Sequence, residues 1–232
     1  MAFEMPPGAW HDVPPDGPPF PLEADTDVPT RLETLPDGRE SVTFGDVARA
    51  AEFGHRQGDN SFGFCQDCGL CSCETVLNQF DVPVTEQDVV AFAVANGLCD
   101  VQSDAAGSGG TTLEQQAEIL RRHDVPAHVE AGQSMEDLAG FVEQGRGVII
   151  GANAGVLWND ANAYGDGYPN HAVTVTGVAR DPGTGDLQGF YVNDSGTGAA
   201  GQFVAAPLMN DAWLTVGGAC VVTDVTQSGD NR

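Results

Sequence analysis

Helical and strand periodicities are segregated along this chain, and their order narrows the fold more than any other feature. Thr85-Glu86-Gln87-Asp88 is a cap signature that leads into the apolar stripe Val89, Val90, Phe92, Ala93 and ends at Asn96-Gly97. Thr112-Leu113-Glu114-Gln115 opens a second helix to about residue 123, and Ser134-Met135-Glu136-Asp137 a third to about residue 144. Residues 126–130 and 147–152 read as strands, the second apolar enough to be buried on both faces. Beyond them the pattern is strand upon strand: 172–179, 187–193, 203–206, and 213–225 with a break at Gly217-Gly218. Helices first and a mostly antiparallel sheet afterwards make the expected class α+β, with an N-terminal helical part packed on the sheet.

Nine of the 14 prolines lie in the first forty residues, among many acids and few aliphatics. Such a segment resists packing, so residues 1–42 are expected to form a Pro-rich acidic tail or linker, without stable structure, ahead of one domain over 43–232. A short helix is expected near 44–53, with Val47, Ala50 and Ala51 on one side and Gly54 as its stop. The chain carries nine Arg, no Lys and 34 acidic residues, a formal net charge of −25. That surface disfavours nucleic acid and anionic membrane as partners, and it suits adaptation to salt, because repulsion among its acids needs screening. Met1-Ala2-Phe3-Glu4-Met5-Pro6-Pro7 lacks the basic and apolar regions of a secretory signal. The expectation is a soluble protein, cytoplasmic or exported by another route.

Gly63 to Asn78 reads as a turn that delivers a cysteine onto the start of an amphipathic helix. Unpaired amides and the helix dipole favour negative charge there, which suits a nucleophilic thiol. Six cysteines are too few for a disulfide framework, and four of them crowd into Cys65, Cys68, Cys71 and Cys73, where neighbours cannot bridge one another. Free thiols and a reducing compartment follow. The C-x-x-C-x-x-C-x-C spacing also matches a thiolate ligand array for zinc or a cluster, but Cys99 and Cys220 are solitary and nothing completes a tetrahedral set. No metal or cofactor is therefore assigned, and a thiolate metal-binding protein stands as an alternative. Cys73, on the apolar side of the helix, is expected to pack in the core.

The expected strands 172–179 and 187–193 flank Asp181-Pro182-Gly183-Thr184-Gly185-Asp186, a hairpin signal. Folding the chain about Gly183 and Thr184 sets position 173 opposite about 194 and position 171 opposite about 196. Diagonal neighbours across a ladder lie roughly 7–8 Å apart, so His171 and Asp194 come within reach of each other. Asn193 is a second candidate to orient the imidazole. Trp158 and Tyr164 are candidates for the cleft wall, whereas His55, His123 and His128 have no evident partner and His11 lies in the tail.

Together these blocks resemble a family. Cys68-Gly69-Leu70-Cys71-Ser72, then Val76-Leu77-Asn78-Gln79-Phe80 and Asp81-Val82-Pro83-Val84-Thr85-Glu86, are similar to the opening of papain-like cysteine peptidases. The nearest branch contains the double-glycine leader peptidases of bacteriocin exporters and their stand-alone bacterial relatives. Asn170-His171-Ala172-Val173 and Tyr191-Val192-Asn193-Asp194 match its His and Asp blocks. The resemblance spans about residues 55–200. It implies a papain-like fold and thiol acyl transfer, with Cys68 as nucleophile, His171 as base and Asp194 as orienter. The oxyanion Gln of the family stands about six positions before the nucleophile, where this chain has Phe62. Gln57 is the preferred substitute, with Gln66 available if Cys71 were the nucleophile instead. A peptide or protein would be the substrate, and the tail a tether to a secretion or toxin-system partner. A cysteine-dependent deamidase or transferase effector and a catalytically inactive binding module share the same pattern.

Overall fold

The structure is a computed structural model in which residues 28–227 are described. His11 and most of the expected tail lie outside them.

Helix starts are set locally. Helix α1 (Val47–Ala51) is capped by Asp46, which accepts from the Arg49 amide. Helix α2 (Cys68–Gln79) follows, then α3 (Glu86–Asn96), α4 (Leu113–Arg122) and α5 (Met135–Glu143). The last three begin with the reciprocal caps that the sequence predicts. Thr85 with Asp88, Thr112 with Gln115, and Ser134 with Asp137 each exchange side-chain and backbone hydrogen bonds, satisfying amides that a helix start leaves without partners. Gly97 ends α3 at φ 66°, the left-handed position glycine occupies without strain.

Eight strands form one sheet: β1 (Thr30–Thr34), β2 (Glu40–Phe44), β3 (Ala127–Glu130), β4 (Arg146–Ala152), β5 (His171–Arg180), β6 (Leu187–Asp194), β7 (Ala199–Ala205) and β8 (Cys220–Thr226). Every ladder is antiparallel. The hub is β5, which pairs with β4 along its first half, with β2 at its far end, and with β6 on the opposite edge. Along β4, Val148, Ile150 and Ala152 face a core that includes Leu138 and Val142 of α5, while Ile149 faces the core built on α2, α3 and α4. The strand expected to be buried on both faces is therefore covered by helices on both. The architecture is α+β.

Three segments differ from the sequence expectation. Residues 30–44, placed largely in the tail, form the β1–β2 hairpin, which joins the sheet where Phe44 pairs with Val178. Leu35, Val42 and Phe44 are buried, and Pro29 and Pro36 flank the strands rather than interrupt them. The strand expected at 203–206 begins earlier, and the chain then turns into helix α7 (Ala206–Ala212), with Pro207 in the first turn where its missing N–H does no harm. Residues 213–225 are not one strand: Trp213 is fully buried, a short 3₁₀ turn covers Leu214–Val216, and β8 starts only at Cys220. A short helix α6 (Ala154–Leu157) follows β4.

Helix α2, which begins with Cys68, is anchored in the core. Its Leu70, Cys73, Val76 and Leu77 are wholly buried, and the helix packs against β4 and β5 on one side and α3 and α4 on the other. Truncating Leu77 to Ala leaves a cavity at that junction. Leu77→Ala should lower the unfolding free energy by about 3 kcal/mol in urea denaturation, and a loss under 1 kcal/mol would show that α2 is not the keystone described.

Candidate active site

Cys68 occupies the first position of α2, and the turn before it is clamped. Asn60 accepts from the Phe64 amide and donates to the Phe64 carbonyl, while the Gln66 amide donates to the Ser108 carbonyl. Gly69 lets the neighbouring loop close in, because a Cβ there would stand 2.1 Å from Thr111 Oγ1 and 2.4 Å from Gln116 Nε2. The half-buried Cys68 sulfur accepts a hydrogen bond from the Ala172 amide at 3.4 Å, which joins the start of α2 to the start of β5.

His171 opens β5 and Asp194 closes β6. Near the site the hairpin register is the one the sequence predicts, with Thr174 opposite Asn193 and Val175 opposite Val192; it shifts by one residue between Val175 and Gly177 and back before Arg180. His171 Nε2 meets Asp194 Oδ1 at 2.8 Å, both side chains being 5% exposed or less. That contact leaves Nδ1 as the ring nitrogen free to serve the Cys68 thiol, which lies against the same imidazole. Burial opposes a charge on His171, but the hydrogen bond to Asp194 and the adjoining sulfur outweigh it, raising the imidazole from 6.5 to about 9. Asp194 is held below the ordinary carboxyl range; burial works against this, and His171, Trp158 and Thr197 override it.

Trp158, at the end of α6, donates its indole N–H to Asp194 Oδ2 at 2.6 Å and packs edge-on against the His171 ring, centroids 4.9 Å apart. The sequence marks it as a wall residue. Its bond to the carboxylate was not legible, because it joins a loop to a strand end 36 residues further on. Close packing extends to Gly196, where a Cβ would approach Trp158 to 2.5 Å and His171 to 3.0 Å. Asn193, the other candidate orienter, points elsewhere: it donates to the Ala50 carbonyl and accepts from the Gly201 amide. Tyr164, the other expected wall residue, is about half exposed and lines neither cavity that borders Cys68.

Gln57 lines the same cleft as Cys68, His171 and Trp158. Its Nε2 donates to the Cys65 carbonyl at 2.7 Å and its Oε1 accepts from Ser195 at 3.0 Å, so the amide orientation is held at both ends. Gln66 borders the cleft on both sides of Cys68.

Cys71 is buried, away from the cleft, and burial followed by the Glu86, Asp67 and Glu74 carboxylates pushes its thiol far up. It is unsuited to act as the nucleophile. The four crowded cysteines do not converge. Among the described residues, the groups of three or more metal-competent side chains are His55 with Cys71 and Glu74, and Asp67 with Cys71 and Glu86. Neither contains Cys65, Cys68 or Cys73. His55, which the sequence leaves without a partner, sits 2.7 Å from Glu74, and that carboxylate raises it to about 9. His128 likewise pairs with Asp224 and Glu130. Burial and the adjoining Glu86 push Asp67 up to about 7.

No family model matches the chain, and no curated protein matches it. Among solved structures, it is similar to a Bacillus anthracis protein described as a "putative C39-like peptidase", with 16% sequence identity and a TM-score of 0.51. The match covers 70% of this chain and 90% of that one. The fold is papain-like. No helix among the described residues is long and apolar enough to cross a membrane.

A folded-state pKa near 9 against 6.5 means that the folded chain binds more protons than the unfolded chain over that window. His171 therefore adds up to about 3 kcal/mol of stability, complete below pH 6.5 and lost as pH rises through about 9. Urea denaturation of the wild type and His171→Gln should show a wild-type advantage that shrinks between pH 6.5 and 9.5. An advantage that grows with pH contradicts the assignment.

Proposed function

We propose that this protein is a papain-like cysteine peptidase in which Cys68, His171 and Asp194 carry out thiol acyl transfer. The observation that carries the reading is the alignment of thiol, imidazole and buried carboxylate at the junction of α2 with the β5–β6 hairpin. The Cys68 proton passes to His171 Nδ1, and the thiolate attacks the substrate carbonyl carbon. The oxyanion is met by the Cys68 amide, which has no intrahelical acceptor at the first helical position, and by the oriented amide of Gln57. The C–N bond breaks as His171 returns its proton to the departing amine. Water, deprotonated by His171, then attacks the thioester and releases Cys68.

Two cavities of about 350 and 430 Å³ flank Cys68, and both include Gln66, Asn170 and His171. A cleft that continues to either side of the nucleophile suits an extended polypeptide crossing it. The likeness to a C39-like peptidase and the sequence blocks that resemble the double-glycine leader peptidases make peptides with Gly-Gly before the scissile bond the first substrates to try.

Such peptides, incubated with the protein and read by mass spectrometry, should be cut with the wild type and left intact by Cys68→Ala. Gln57→Ala should lower the rate by roughly 10²–10³ while Gln66→Ala lowers it far less. A gain of one mass unit without chain cleavage would make the reaction a deamidation, and addition of an amine a transfer. If iodoacetamide labels Cys68 no faster than the exposed Cys65, the nucleophile assignment is wrong and the fold serves as a binding module.

A further inference from the structure

Behind the start of α2, on the side away from the cleft, three acidic side chains and one thiol are buried together in a chain that has no Lys. Asp67 is wholly buried, Glu86 is 2% exposed and Cys71 is 3% exposed. One potential ligand atom from each lies within 4.8 Å of the other two. Each carboxylate is anchored through one oxygen by the same donor: Asn60 Nδ2 lies 3.1 Å from Asp67 Oδ2 and 2.7 Å from Glu86 Oε1, and the latter also accepts from the Gly58 amide at 3.0 Å. The other two oxygens, Asp67 Oδ1 and Glu86 Oε2, are fully buried and have no hydrogen-bond partner, although His55 Nδ1 stands 3.5 Å from the second. A buried carboxylate oxygen without a donor is unfavourable unless something positive meets it.

We propose that Asp67, Cys71 and Glu86 form a buried site for one divalent cation of the zinc class, with His55 and Glu74 supporting it from the side. Two carboxylate oxygens and one sulfur suit a borderline cation, whereas calcium and magnesium take oxygen alone. Asn60 acts as the outer support, turning both carboxylates so that their free oxygens share one space. His55 adds a further contact, its Nδ1 3.5 Å from Glu86 Oε2, while its Nε2 holds Glu74. On binding, the Cys71 S–H bond breaks, its proton leaves to solvent, and the sulfur bonds the cation as thiolate. The site ties together the 55–67 segment, the first turn of α2 and the first turn of α3, and so fixes the backbone that presents Cys68. It does not use Cys68 itself, and it stands whether or not the protein is a peptidase.

The test is a cobalt(II) titration of chelator-treated full-length protein, followed in the near ultraviolet for thiolate-to-metal charge transfer, with zinc back-titration and elemental analysis. The expected result is one equivalent bound, a charge-transfer band that persists in Cys68→Ala and disappears in Cys71→Ser, and affinity lowered at least tenfold in Glu86→Gln and in Asn60→Ala. Zinc should raise the melting temperature of the wild type and of Cys68→Ala alike, and chelator should reverse the rise. If Cys71→Ser fails to fold, the Glu86→Gln and Asn60→Ala affinities decide. A band lost in Cys68→Ala, or affinities unchanged by Glu86→Gln, would overturn the site. So would a melting temperature indifferent to zinc and chelator, since a proton shared between Asp67 and Glu86 would then account for the unpartnered oxygens.

Discussion

The buried contact between His171 and Asp194 is the constraint around which the rest of the site is arranged. Taking an imidazole and a carboxylate out of water is unfavourable unless each satisfies the other and the remaining polar atoms find partners. Here they do: the Gly196 and Thr197 amides donate to the Asp194 oxygen that faces His171, and the Trp158 indole donates to the other. The pair sits at the end of a hairpin where Thr174 faces Asn193 and Val175 faces Val192, so the ladder sets the relative position of ring and carboxylate. The energetic consequence is an imidazole that favours its protonated form, the form that stabilises a neighbouring thiolate.

Cys68 comes to this pair from the other half of the molecule. Helix α2 lies in the core facing Ile149 and Ala172 of the sheet, and the contact of Cys68 with the Ala172 amide fixes how far its first turn reaches. Close packing at Gly69 and at Gly196 shows how little room the assembly leaves on either side of Cys68 and His171. The turn that feeds α2 also carries Gln57, whose amide is fixed at one end by the Cys65 carbonyl and at the other by Ser195, next to Asp194. Cys68, His171 and Gln57 are thereby linked through a short series of backbone and side-chain contacts.

Where physical signals are local, the sequence was readable in detail. The reciprocal caps at Thr85, Thr112 and Ser134 stand where their spacing predicts, and β5 and β6 pair in the predicted register at the His171–Asp194 end. The failures have a common cause. The β1–β2 hairpin was hidden by prolines that sit beside its strands, and α7 by an apolar run that reads equally well as a strand until Met209 and Trp213 are seen buried together. The partner of His55 is hidden from the sequence because Glu74 lies nineteen residues on, in the middle of α2.

What the sequence determined by itself is the run of capped helices α3 to α5, the placement of a cysteine on a helix start, and the meeting of His171 with Asp194 across one hairpin. All three follow from interactions between residues close in the chain or opposite one another in one ladder. Only the tertiary structure decided that Cys68 rather than Cys71 faces the imidazole, that Trp158 and not Asn193 braces Asp194, and that Asn60 turns Asp67 and Glu86 toward one another. Those outcomes depend on which face of α2 meets the sheet and on loops closing across it. Such choices are made by packing among segments far apart in sequence, and no periodicity within any one segment encodes them.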